Sequence, residues 1–172
     1  MVTLSIAEHG TLLAMQTKEA LAAKGFRIST KKSPTAGDYL FLPPGTQKNC
    51  DILVLHEPDC ASGCSGDYFT ILNADRKSTI NFNRNALVIT YGLNSLATLT
   101  ASSLSESIAG IGFHCCLQRS IVTLRGKILE PQEFPVLLPH TLGDISTAMA
   151  FVCLGLVLSL SPEEFLYPPQ SL

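Results

Sequence analysis

The sequence predicts an α/β domain with a mostly parallel sheet, helices on both faces and a small antiparallel extension. Three observations carry that expectation. The first half holds short, near-continuous apolar runs of the kind that suits strands covered on both faces. The opening reads as strand, turn, helix, strand. Between about Leu96 and Leu138 the apolar runs shorten and alternate with polar residues, as half-buried antiparallel strands do. The length of 172 residues fits one domain spanning 1–172 and is enough to bury its own core.

Val2 to Ile6 is the first apolar strand candidate. Gly10 opens a helical segment, Thr11 to Lys24, with apolar residues at Leu13, Met15 or Gln16, Ala20 and Leu21. Gly25 stands where a C-capping glycine belongs, and Phe26-Arg27-Ile28 restarts as a strand. Thr30 to Lys48 is rich in Lys, Pro and Gly and reads as loop around a brief Tyr39–Leu42 strand. Asp51–His56, Tyr68–Leu72 and Ala86–Tyr91 are further buried strands, with a turn-rich break at Pro58–Gly66. Later strands are expected at Thr98–Ala101, Gly112–Leu117, Ser120–Leu124 and Phe134–Leu138, with a turn at Arg125-Gly126-Lys127. A helix follows from Leu142 or Asp144 to Leu158. Ser161-Pro162-Glu163-Glu164 begins a short last one, with its cap, its proline and its acids in the first turn.

Composition excludes several classes of function. Charged residues make up 15% of the chain and hydrophobic ones 46%, so this is not a disordered or solvated tail. A net charge of -2 argues against a nucleic-acid binder. The start, MVTLSIAEHG, has neither the basic nor the long apolar region of a secretory signal. The longest apolar run, Ala148 to Leu160, falls short of the about 20 residues a membrane span needs. The expectation is a cytoplasmic protein with no membrane or nucleic-acid partner, whose six cysteines are reduced. Cys60-Ala61-Ser62-Gly63-Cys64, near His56, Glu57 and Asp59, is the one segment that could hold a metal or cycle as a dithiol. Its C-x3-C spacing and the lack of a second nearby pair favour plain structural thiols. His114 and Cys115-Cys116 could add only one further thiol, because adjacent strand residues face opposite ways.

In order, the chain presents Asn73-Ala74-Asp75 after a buried strand, Tyr91-Gly92-Leu93-Asn94, Ala97-Thr98-Leu99-Thr100-Ala101, Gly112-Phe113, and Leu138-Pro139-His140 before an Ala-rich helix. That order resembles the second half of the central, ATP-binding domain of the Mur ligases, the amide-bond-forming enzymes of peptidoglycan precursor synthesis. The matching family elements read roughly N-A-D-D, Y/F-G-x-x, A-D-V-x-A, G-x-x-F and G-x-H-N-V-x-N-A-x-A-A. The resemblance covers about residues 67–166. It implies a Rossmann-like, P-loop-like sheet and a nucleotide cleft lined by Gly10, Thr11, Asn73, Asp75 and His140, with ATP and magnesium as the implied ligands.

The departures from the pattern are specific. A working P-loop needs a lysine on the β- and γ-phosphates and a hydroxyl on magnesium. Counted from Gly10, those positions hold Ala14 and Met15, and Lys18 falls a turn later. Arg76 replaces the second Asp of N-A-D-D, Thr98 replaces the Asp of A-D-V-x-A, and Thr141 and Asp144 replace the two Asn after the histidine. No segment corresponds to the family's catalytic middle or to its C-terminal amino-acid-binding domain. The expectation is a non-catalytic Mur-ligase-like module for binding or assembly, with a protein partner or self-association, no resident cofactor and no metal. Two alternatives stand beside it: a divergent ATP-binding or ligase-related protein using the cleft, and a thiol or metal protein centred on Cys60 and Cys64.

Overall fold

A computed structural model describes residues 2–8, 12–29, 38–42, 49–57, 65–77 and 85–166. The chain divides into two compact units, Met1–Val88 and Ile89–Leu172.

The first unit is a parallel α/β sheet. Its strands are β1 (Val2–Ala7), β2 (Ile28–Ser29), β3 (Tyr39–Leu42), β4 (Asn49–Leu55) and β5 (Ser65–Asn73). They lie in the order β5-β4-β1-β3-β2, and every pair is parallel. Parallel pairing needs crossovers and covered faces, which explains the unbroken apolar runs. Ile52, Leu53, Val54, Leu55 and His56 are all buried, as the run on β4 requires. A register shift lies between Cys50 and Ile52, beside which Asp51 accepts from both the N–H (2.6 Å) and the hydroxyl (2.7 Å) of Thr3 on β1.

Helix α1 (Leu12–Ala23) crosses from β1 toward β2. Its end is a Schellman motif: Gly25 N–H donates to Ala22 and Phe26 N–H to Leu21, with Gly25 at φ +82. The buried face is Leu13, Thr17 and Leu21. Met15, a candidate for that face, is instead exposed, because its spacing from Leu13 turns it off the stripe. Thr17 takes the place in the core by donating its hydroxyl to the Leu13 carbonyl at 2.8 Å, which satisfies the one polar group it buries. The strand expected from Phe26 begins only at Ile28.

The second unit is built on the antiparallel extension. Strands β6 (Leu87–Tyr91), β7 (Leu99–Ser107), β8 (Gly110–Leu117) and β11 (Gln132–Leu138) run in the order β11-β8-β7-β6. β6 meets β7 in parallel at Tyr91 and Leu99, and the other two pairings are antiparallel. β7 runs well past the predicted Ala101, through the exposed polar stretch Ser102–Ser107, with a bulge between Ser102 and Ser105 and Ser103 at φ 53. The strand expected at Ser120–Leu124 is only β9 (Ile121–Val122). It pairs with β10 (Ile128–Leu129) around the predicted Arg125-Gly126-Lys127 turn.

Helix α2 (Ile145–Val157) packs on β7 and β8. Asp144 caps it, accepting the Thr147 N–H at 2.7 Å. Every residue from Thr147 to Val157 is buried, as expected of a helix that is apolar all round. The last predicted helix is a 3-10 turn, Pro162–Phe165, whose Glu164 carboxylate accepts the Ser161 N–H at 2.6 Å. Phe165 is fully buried against Phe134 and Phe151. Among the described residues no helix is long and apolar enough to cross a membrane.

Candidate functional site

In an open α/β sheet ligands bind at the carboxyl ends of the strands, where helix N-termini also point. In the first unit that edge is formed by the ends of β1, β4 and β5. Gly10 and Thr11 lie outside the described residues, as do Cys60 and Cys64. Glu8, just past β1, is described; the sequence marks it only as part of the turn Glu8–Thr11 at the end of the first strand and gives it no role of its own. The Leu13 N–H donates to Glu8 Oε2 and the Ala14 N–H to Glu8 Oε1, both at 2.9 Å. These are the second and third N–H groups of α1, left without intrahelical partners and aligned with the positive end of its dipole. They are the donors a helix-terminal phosphate would use, and a carboxylate of the same chain holds both.

Lys18 offers no charge to that point. Its ammonium lies 5.0 Å from the centroid of the Phe41 ring, in a cation–π contact on β3. The turn-later position read from the sequence therefore corresponds to a contact on the sheet.

At the other strand ends the polar groups are tied to one another. Asn73, 1% exposed, donates from Nδ2 to the His56 carbonyl at 3.3 Å and accepts the Asp75 N–H on Oδ1 at 3.0 Å. The second bond is an Asx turn that closes the chain after β5. The Glu57 N–H donates to the Ala7 carbonyl at 2.8 Å, joining the ends of β4 and β1. Arg76 reaches Glu57 at 4.0 Å, a half-exposed pair of small energetic value.

His140 belongs to the second unit, in a 3-10 turn His140–Leu142 ahead of α2. Its Nε2 is 2.5 Å from the Ser107 carbonyl, which can only accept, so Nε2 carries a proton. Nδ1 lies 3.7 Å from the Glu106 carboxylate, an ion pair once the ring is charged. Both ring nitrogens thus face the β7–β8 hairpin.

Among the described residues, Cys50, Cys115, Cys116 and Cys153 form no disulfide. Cys115 is buried and Cys116, on the opposite face of β8, is half-buried. Burial pushes the Cys153 thiol up to about 12 and pushes Cys115 up as well, the latter helped by Cys153 and Cys116 nearby. No group of three or more His, Cys, Asp or Glu among the described residues is arranged to hold a metal.

No family model matches the chain, and no curated protein matches it in sequence. Solved structures do match. A MurF from Acinetobacter baumannii superposes with a TM-score of 0.57 at 10% identity, over 95% of this chain and 44% of its own. A UDP-N-acetylmuramoyl-L-alanyl-D-glutamate–2,6-diaminopimelate ligase gives 0.57 at 12%, with the same coverages. A MurF ligase from Thermotoga maritima, solved in complex with ADP, gives 0.55 at 7%, over 96% of this chain and 48% of its own. The fold is therefore Mur-ligase-like. The chain spans less than half the length of these structures, and identities this low speak for the fold alone.

Proposed function

We propose that this chain is a non-catalytic Mur-ligase-like domain, a binding or assembly module in cell-envelope precursor metabolism that does not perform ATP-dependent ligation. The link to the cell envelope is supported only by the ligases that share its fold. The observation that carries the non-catalytic reading is the Glu8 carboxylate on the Leu13 and Ala14 N–H groups. A phosphate bound there must displace a carboxylate already satisfied by two hydrogen bonds, and must then sit beside that negative charge. Acyl-phosphate formation further needs a lysine and magnesium to stabilise the transferring phosphoryl group. Ala14 and Met15 occupy the positions that would supply the lysine and the metal-binding hydroxyl, and Lys18 is engaged on Phe41.

Titration calorimetry with ATP and magnesium tests this reading. The expected result is an affinity no better than about millimolar, roughly 4 kcal/mol of binding. A micromolar dissociation constant weakened at least tenfold by Asp75→Ala would overturn it and establish a working nucleotide cleft.

A further inference from the structure

The second unit is electrostatically lopsided. Residues 89–172 hold three basic residues, Arg119, Arg125 and Lys127, against six acidic ones. Arg119 precedes the β9–β10 ribbon, Arg125 and Lys127 stand in its turn, and all three are exposed. The ribbon is also amphipathic. Ile121 and Leu129 face inward, while their neighbours Val122 and Ile128, paired with each other across the ribbon, are 37% and 58% exposed. Local acids offset part of this charge: Glu130 accepts the Ser120 hydroxyl at 2.7 Å, and Glu163 lies within the field of Lys127. Arg119 and Arg125 have no ion pair among the described residues. An exposed apolar pair with cations close to it in the chain is thus presented beyond one end of β8.

The other end of β8 presents the opposite chemistry. The β7–β8 hairpin carries Leu104, 53% exposed, Ile108, fully exposed, and between them Glu106. Its nearest partner is His140, at 3.7 Å, and otherwise the carboxylate faces solvent. The eight residues of β8, at about 3.3 Å each, separate the two features by roughly 26 Å. One protomer cannot bring its own hairpin to its own ribbon along a rigid strand.

From this complementarity we propose that the chain associates head to tail with a second copy of itself, the hairpin of one protomer seated on the ribbon of the next. Leu104 and Ile108 cover Val122 and Ile128, and Glu106 meets Arg125 and Lys127. A contact between two unlike patches is heterologous, so it extends into a chain or closes into a ring instead of stopping at a two-fold dimer. The patches are small, which places the contact in the weak, concentration-dependent class below about 1,200 Å² of buried surface. The inference stands apart from the nucleotide question, and ATP binding would leave it untouched.

Sedimentation velocity of the full chain over a concentration series tests it. The expected result is a sedimentation coefficient that rises with concentration at about 50 mM salt and much less at about 500 mM, because exposed charges are screened. Ile108→Ser, at a fully exposed position that leaves the His140 pair intact, and the double variant Arg125→Glu with Lys127→Glu should each sediment as monomers. Mixed together, each supplies the patch the other lacks, so the mixture should form a one-to-one pair that grows no further. A wild-type chain that stays monomeric at every concentration would overturn the proposal. So would association that survives in both variants, or a mixture that stays monomeric. Monomers that bind anionic but not neutral phospholipid vesicles through Arg125 and Lys127 would assign the ribbon to a lipid surface instead.

Discussion

Replacing Gly155 by alanine tests how firmly the C-terminal turn is docked on α2. In an exposed helix interior alanine is favoured over glycine by about 1 kcal/mol. Here the new Cβ would stand 2.8 Å from Cε1 and Cζ of Phe165 and 3.1 Å from a methyl of Leu160, well inside ordinary carbon contact. The ring has little room to retreat. Phe165 is fully buried, stacked on Phe134 at 6.3 Å between centroids and edge-on to Phe151 at 6.2 Å. Overpacking of this kind costs about 1–3 kcal/mol, which offsets or exceeds the gain in propensity. Set against that gain, the Gly155→Ala variant should lose up to about 2 kcal/mol, or as much as roughly 8 °C in Tm for a chain of this size. Urea unfolding followed by far-ultraviolet circular dichroism measures it. In the Gly155→Ala background, Phe165→Leu should cost less than it does in the wild type, a coupling that a double-mutant cycle reads directly. A Gly155→Ala variant about 1 kcal/mol more stable than wild type would refute the reasoning, since it would mean that the Phe165 ring is not held against the helix.

Two further outcomes follow from the second unit. Ser159, just past α2, holds the left-handed position of a Schellman cap at φ 70, with Leu160 N–H bonded to Gly155 and its own N–H to Leu156; its buried hydroxyl has no partner among the described residues. Ser159→Gly should stabilise by about 1 kcal/mol in the same urea assay, because glycine takes that conformation without a Cβ penalty and leaves no orphaned oxygen. The buried thiols should make the fold labile to alkali. An unfolded cysteine releases its proton near 9.0 while Cys153 holds it to about 12, so above about pH 9 the unfolded state binds fewer protons and stability falls. Each such thiol contributes about 1.4 kcal/mol of that loss at pH 10. Cys153→Ala should flatten the fall in the urea midpoint between pH 7.5 and 10, and an unchanged slope would contradict it.

Much of the architecture was legible in the sequence wherever burial and hydrophobicity coincide. Tyr39–Leu42 is a strand as written, and the near-continuous run on β4 is buried on both faces. What was not legible are the places where pairing, not burial, makes the structure. Ser102–Ser107 is polar and exposed, yet it is strand because β8 supplies its hydrogen bonds. The two residues of β10 carry too short an apolar signal to be read as a strand. On α1, the hydrophobicity of Met15 pointed to the wrong face, because Thr17 can bury itself by bonding its own helix. The candidate site was less legible still. Glu8 stands outside the helix it caps, and nothing in a one-residue acid signals two N–H groups five and six residues on. His140 meets Ser107 across 33 residues of sequence, a distance no local pattern spans.

The strand ends of the first unit and the surface of the second differ in how their polar groups are used. A site that awaits a ligand keeps donors and acceptors for that ligand to satisfy, and keeping them buried without it is costly. At the ends of β1, β4 and β5 the polar groups described above are satisfied from within. Glu8 takes the helix donors, Asn73 takes His56 and Asp75, and the Glu57 N–H takes Ala7. Each of these bonds stabilises the unit, and each removes a handle that a phosphate or a ribose would need. On the hairpin and the ribbon the balance is reversed. Ile108, Ile128 and Arg125 contribute little to their own fold while exposed, and they gain from burial only against something else. On the proposed reading, recognition rests on that exposed face, and the two measurements are independent: ATP titration reports on the strand ends, and sedimentation reports on the hairpin and ribbon.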